Sequence, residues 1–306
     1  MIKILIADEI SLDGLKLLPA NKYHVKASFG ISNRDIINKF GDFDVLVIRS
    51  IRKIDRDFLS KSSFKIIATC SKGTDHIDTE FAKTKSIKVI NAEDSNNISA
   101  AEHTLTLLLC IYKNIIFSDK LVRKNKFSFY GYKRNELYGK SIGIIGFGKV
   151  GSYVGKLCSA FGMNVTANDT DGAVRKKNSD FKFKSLNYIL KNCEVVSIHI
   201  PLTEKNLNFI SKDKLKLLKP DCVLLNTSRG KVLDEEFLYK QLKEKKIYFA
   251  GLDVMCNEPN VNRKFFDLDN VILTNHIAGK TIESRERISG NIFKSIDENF
   301  YKAGKI

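Results

Sequence analysis

Hydrophobic and polar positions fall into alternating blocks along this chain. Compact apolar runs at 3–7, 43–49, 64–69 and 87–91 are rich in Ile and Val and too short for helices, so they read as strands of a small parallel sheet. The stretches between them carry apolar residues at helical spacing. From 98 to 124 that spacing continues unbroken, which predicts one long helix. Ser99 and Glu102 near its start have the separation of a capping box, in which hydroxyl and carboxylate each satisfy an end N–H.

Further runs follow at 141–145, 193–200, 222–227, 248–253 and 271–274, with another strand ending at Asp169 and helices near 212–218 and 234–245. A last helix over 281–301 has too few successors for a third domain and is expected to return to the first. The chain of 306 residues suits about two domains. The fold class is therefore α/β, with two doubly wound parallel-sheet domains. Residues 1–97 and 281–306 form one, and 98–280 form the other as an insertion.

One junction in this pattern carries specific chemistry. The run at 141–145 leads directly into Gly146, Gly148 and Gly151, spaced G-x-G-x-x-G at the mouth of a helix. Gly146 permits the tight turn, Gly148 lets a pyrophosphate approach the backbone, and Gly151 packs helix on strand. The helix N-terminus offers unpaired N–H groups to the anion. At the end of the next strand, Asp169 is placed to bond the ribose hydroxyls and to repel a 2′-phosphate, so NAD is expected over NADP.

Composition narrows the partners. Lys and Arg number 51 against 35 Asp and Glu, a formal net charge of +16, but they are spread along the whole chain. No basic helix with interleaved aromatics and no zinc-finger spacing occurs, so no nucleic-acid partner is expected, and the positive field suits a small anionic substrate. No apolar run approaches the ~20 residues of a membrane span, and the first ten residues read as a strand rather than a signal peptide. The cysteines, Cys70, Cys110, Cys158, Cys193, Cys222 and Cys256, form no C-x-x-C pair. That usage fits buried thiols in a reducing, cytoplasmic compartment, with no metal site expected.

Three short motifs sit at strand ends, where ligands of this fold class lie: 226–236, 251–259 and 274–279. They contain Arg229, Glu258 and His276. A guanidinium there can clamp a carboxylate in bidentate fashion, and an imidazole beside a carboxylate can hold a proton ready for a carbonyl oxygen. Taken singly, each residue also suits a surface or loop role, and the pattern alone leaves their convergence open.

At these residues the chain closely resembles the D-isomer-specific 2-hydroxyacid dehydrogenase family, over nearly its whole length and with the motifs in the family's order. The resemblance implies a Rossmann NAD-binding domain inserted in a flavodoxin-like substrate domain, and a homodimer. It implies Arg229 as substrate-binding residue, His276 as acid/base and Glu258 as the carboxylate orienting that histidine. It also implies Lys149 and Val150 at the pyrophosphate, Ile200, Thr227 and Ser228 along the cofactor, Asp253 at the nicotinamide amide, and Ala278 and Gly279 lining the same pocket. The chain departs from the family in having no tryptophan before the glycine strand, where Phe127 and Phe129 occur, and Asn275 in place of a proline.

Within the family, residues 47–55 resemble the phosphoglycerate-specific members that lack a regulatory domain, whose arginine and serine match Arg49 and Ser50. The expected substrate pair is then 3-phosphoglycerate and 3-phosphohydroxypyruvate, as in serine biosynthesis. Lys72 lies close to the position of a second basic residue, and the backbone of Ser71 and Gly73 suits a carboxylate. Glyoxylate or hydroxypyruvate is the alternative substrate. An NAD-sensing scaffold or corepressor-like protein is the alternative of another class.

Overall fold

The computed structural model describes residues 1–127 and 133–302. The chain divides into two compact units: Met1–Asn96 together with the chain from Lys280 onward, and Asn97–Gly279.

In the first unit, β1 (Ile2–Ile6), β2 (Tyr23–Ala27), β3 (Val45–Ile48), β4 (Ile66–Thr69) and β5 (Lys88–Asn91) pair in the order β2-β1-β3-β4-β5, all parallel. Side chains alternate between faces along each strand. Ile4, Ile6, Val45 and Val47 therefore pack on one side with Ile292, Phe293 and Ile296 of the last helix, Ile282–Asp297. Leu5, Leu46, Ile48 and Ile67 pack on the other with Ile36, Phe58 and Leu59. Each such fully buried side chain contributes roughly 1.5–3 kcal/mol. The last helix also seats on the 3₁₀ turn Asp13–Leu17: the Gly14 N–H donates to Ser289 Oγ at 3.0 Å, and a Cβ at Gly14 would lie 2.4 Å from the Ser289 carbonyl oxygen.

In the second unit, β6 (Ser141–Ile145), β7 (Asn164–Asn168), β8 (Lys182–Phe183), β9 (Val195–Ile198), β10 (Val223–Asn226), β11 (Phe249–Leu252) and β12 (Val271–Leu273) pair in the order β12-β11-β10-β9-β6-β7-β8, again all parallel. The order reverses between β6 and β9, the switch point at which ligands of such sheets bind.

Two local expectations are corrected. The helix predicted over 98–124 is two helices, Asn97–Lys113 and Ile115–Val122, because Asn114 between them adopts the left-handed region at φ 55°. Asparagine tolerates that conformation and so breaks a run whose apolar spacing is continuous. Ser99 and Glu102 form no capping box, since the helix starts at Asn97 and Ser99 lies inside its first turn, buried. Phe127 is exposed; Phe129 lies outside the described residues.

Candidate active site

The glycine turn is built as a close three-way contact. Gly146 sits at φ 86°, where its Cβ would meet the His199 carbonyl at 2.8 Å and Ile200 Cγ2 at 2.9 Å. Gly151 lies in the first turn of the helix Lys149–Ala160, and a Cβ there would lie 2.0 Å from the Gly146 carbonyl oxygen. Around Gly148, the N-cap of that helix, a Cβ would meet nothing within 4 Å, so this backbone is open on its outer side. Lys149 and Val150 continue from it into the helix. Asp169 follows β7 and accepts the Phe147 N–H at 2.7 Å and the Asp171 N–H at 2.9 Å. Its carboxylate is thereby tied to the glycine turn. An open glycine backbone at a twelve-residue helix N-terminus beside an oriented carboxylate fits a dinucleotide.

Along the same edge, the register sets Asn226, Leu252 and Leu273 side by side on β10, β11 and β12. The segments that follow carry Arg229, Asp253 with Glu258, and His276. Asn226, fully buried, shapes the first: its Oδ1 accepts the Ser228 N–H at 3.0 Å and hydroxyl at 2.8 Å, while its amide donates to the Arg229 carbonyl at 3.0 Å. The Arg229 guanidinium donates to the Ser228 carbonyl at 2.8 Å, and the Thr227 hydroxyl lies 2.8 Å from that of Thr104. This turn packs directly on the second segment, since a Cβ at Gly230 would lie 2.1 Å from the Met255 carbonyl carbon.

Met255 in turn holds the carboxylate. Its N–H donates to Glu258 Oε1 at 2.7 Å, and Glu258 Oε2 lies 2.6 Å from His276 Nδ1. Burial alone would raise the Glu258 carboxyl, but the bonds from His276 and Met255 outweigh it and hold the group below the usual carboxylate range. With Nδ1 committed to Glu258, Nε2 is the ring nitrogen turned away from it. His276 itself lies at φ 56°.

Asp253, which the resemblance sets at the nicotinamide amide, is tied into the turn that carries His276. Its side chain is 0% exposed, and its carboxylate accepts the Thr274 hydroxyl at 2.5 Å and the N–H groups of Ile277 and Ala278 at 2.9 Å each. It anchors the turn 274–278 from beneath, with Ala278 buried and Gly279 next in the chain. His103, given no special claim by sequence, joins this group at 3.1 Å from Thr274 Oγ1.

In the first unit, Arg49 and Ser50 follow β3 while Ser71, Lys72 and Gly73 follow β4. Ile48 is registered with Thr69, so both loops leave one sheet edge. The Arg49 N–H donates to Asp8 Oδ2 at 2.8 Å, and Asp8 is buried in an ion pair with Arg52 at 2.6 Å. Ser71 Oγ lies 2.9 Å from Thr69 Oγ1 and donates to the Gly73 carbonyl at 2.8 Å. Burial favours the neutral thiol at the cysteines: it pushes Cys70, Cys158 and Cys256 up to about 12 and Cys193 to about 11, with Cys110 and Cys222 also raised. Among the described residues no group of three His, Cys, Asp or Glu is placed to hold a metal ion, and no helix is long and apolar enough to cross a membrane.

Comparison with known proteins supplies the family. Residues 105–278 match the model of the D-isomer specific 2-hydroxyacid dehydrogenase NAD binding domain. The chain is 35% identical over 295 residues to a D-3-phosphoglycerate dehydrogenase of Methanocaldococcus jannaschii, covering 95% of this chain but 56% of that protein, so it spans about half of that relative's length. A hydroxypyruvate reductase of Thermotoga maritima is 32% identical over 96% of this chain and 97% of its own. Among solved structures, the D-lactate dehydrogenase from Aquifex aeolicus complexed with NAD and lactic acid is 29% identical at a TM-score of 0.83, with 98% of this chain and 96% of that one covered. The chain belongs to the D-isomer-specific 2-hydroxyacid dehydrogenase family, and its larger unit is that family's NAD-binding domain.

Proposed function

We propose that this protein transfers hydride between NAD and C2 of a D-2-hydroxy acid or 2-oxo acid, with 3-phosphoglycerate and 3-phosphohydroxypyruvate as its substrate pair. The observation that carries the reaction class is the 2.6 Å contact between Glu258 and His276 Nδ1, one strand away from the Arg229 turn. NAD, when bound, would supply or accept the hydride at its nicotinamide ring. His276 Nε2 gives a proton to the C2 oxygen during reduction and takes it back during oxidation. The Glu258 carboxylate stabilises the imidazolium form and fixes the ring's orientation. Arg229 binds the substrate carboxylate and carbonyl. Asp169 favours NAD over NADP at the adenosine ribose.

The phosphate assignment rests on Arg49 and Ser50, with Lys72 and the Ser71–Gly73 backbone on the neighbouring loop, and is supported by the name of the Methanocaldococcus relative. The end-to-end match to a hydroxypyruvate reductase supports the second reading, a non-phosphorylated 2-oxo acid. We read the protein as a cytoplasmic homodimer built through the larger unit, a reading supported by the exposed Ile115, Ile116 and Val122 of one helix, which give a second copy apolar surface to cover. Sedimentation at micromolar concentration tests the dimer. NADH oxidation with 3-phosphohydroxypyruvate, hydroxypyruvate, glyoxylate and pyruvate tests the activity. Highest kcat/KM with the phosphorylated acid supports the first reading, and inactivity with all four would favour an NAD-sensing scaffold.

A further inference from the structure

The turn that presents His276 is held by a chain of polar contacts that ends on a histidine far away in sequence. His276 lies at φ 56°, a conformation a non-glycine residue keeps only where its surroundings hold it. Its own N–H donates to the Asp253 carbonyl at 2.9 Å. The Asp253 carboxylate grips the next two amides, Ile277 at Oδ1 and Ala278 at Oδ2, each at 2.9 Å. One residue thus fixes the backbone on both sides of the His276 peptide.

What fixes Asp253 is the Thr274 hydroxyl, 2.5 Å from Oδ1. An ionised carboxylate only accepts, so the single hydroxyl proton goes to Asp253 and the Thr274 oxygen is left to accept. His103 Nε2 stands 3.1 Å from that oxygen, which requires the proton on Nε2. Nε2 is also 3.4 Å from Asp253 Oδ1, with the His103 side chain only 16% exposed. Donor chains of this kind polarise one another, and in a buried setting the loss of one member leaves the rest under-satisfied. His103 comes from the helix Asn97–Lys113, a rigid element suited to anchoring a turn 171 residues away.

We propose that His103 is a positioning residue for this enzyme: through the Thr274 hydroxyl and the Asp253 carboxylate it fixes the turn that presents His276. The catalytic part of this assignment rests on the functional reading above; the anchoring part does not.

Three variants of the full chain test it: His103→Ala, which removes the donor, His103→Gln, whose amide can restore a donor at the Nε2 position, and Thr274→Val, which removes the relay. Two readouts are needed, steady-state reduction of the preferred 2-oxo acid and hydrogen exchange at the Ile277 and Ala278 amides. In His103→Ala and Thr274→Val those two amides exchange faster. kcat falls on the order of 10-fold or more, since an ångström of misplacement can cost about 10²-fold, while KM and NADH binding change little. His103→Gln restores both readouts. Unchanged exchange at Ile277 and Ala278 would overturn the anchor, as would faster exchange with wild-type kcat, or a Gln variant that behaves as Ala does. A wild type that reduces no 2-oxo acid would overturn the functional reading instead, and exchange would still decide whether His103 holds the turn.

Discussion

Glu258 holds His276 with one carboxylate oxygen while the Met255 amide holds the other, at 2.6 and 2.7 Å. The carboxylate is therefore held independently of the imidazole, and these bonds keep its carboxyl below the usual carboxylate range despite partial burial. Reduction of a 2-oxo acid needs the imidazolium, whereas oxidation of the hydroxy acid needs the neutral ring.

Glu258→Gln removes the negative charge and keeps the size. The imidazolium loses its stabilising partner, so the upper limb of the pH profile for reduction is expected at lower pH than in the wild type. The pH dependence of kcat/KM for the preferred oxo acid checks this. A profile superimposable on that of the wild type would remove Glu258 from its assigned role.

In the proposed function Asp169 would set cofactor choice through its charge. In Asp169→Ala the ribose loses a charged hydrogen-bond partner and a 2′-phosphate loses a repulsive one, so the ratio of kcat/KM for NADH over NADPH should fall roughly 10- to 100-fold. The melting temperature is needed alongside, because Asp169 also accepts the Phe147 N–H of the glycine turn. Equal use of both cofactors by the wild type would contradict the assignment.

Acid sensitivity should be traceable to Glu194. Burial alone would raise its carboxyl, but Lys140 Nζ at 2.7 Å and the Ser141 N–H and hydroxyl at 3.0 and 3.1 Å outweigh it and lower the group. A depressed carboxylate contributes stability that is complete above the unfolded value of about 4.3 and is lost as pH falls through the lower folded value. The stability gap between wild type and Glu194→Gln is thus expected to be widest near neutrality and to close in acid. Denaturant unfolding at a series of pH values measures it, and a gap independent of pH would contradict the assignment.

Much of this was legible in the sequence because its causes are local. Strands buried on both faces, such as β3 and β10, announce themselves as apolar runs, and Gly146, Gly148 and Gly151 do work that only their spacing requires. What escaped is carried by edges and by distance. β2 reads Tyr-His-Val-Lys-Ala and pairs on one side only, and β8 is two residues long, so neither shows an apolar run. The break at Asn114 depends on one residue's tolerance of positive φ. Asn226 left a local signal, an amide at a strand end ahead of Thr-Ser-Arg, as Asx turns do. His103 left none, because its partners lie 171 residues away and only folding brings them to it.

Arg49 is the residue on which the proposed phosphate selectivity rests. A phosphate beside a guanidinium gains charge-assisted hydrogen bonds that glyoxylate cannot use. Arg49→Ala should therefore raise KM for 3-phosphohydroxypyruvate by the equivalent of roughly 1.5–3 kcal/mol while leaving glyoxylate reduction nearly unchanged. Equal losses with both substrates would make the Arg49 side chain a structural one and remove it from phosphate recognition.

His276 carries the proton transfer on which the proposed reaction depends. NADH oxidation should be followed with the best of the four 2-oxo acids in the wild type and in His276→Ala, with NADH affinity measured in parallel. Turnover by the wild type, a fall of about 10²–10⁴-fold in kcat for the variant, and nearly equal NADH affinity in the two are expected. Wild-type turnover that survives the loss of His276 within a few-fold would contradict that role.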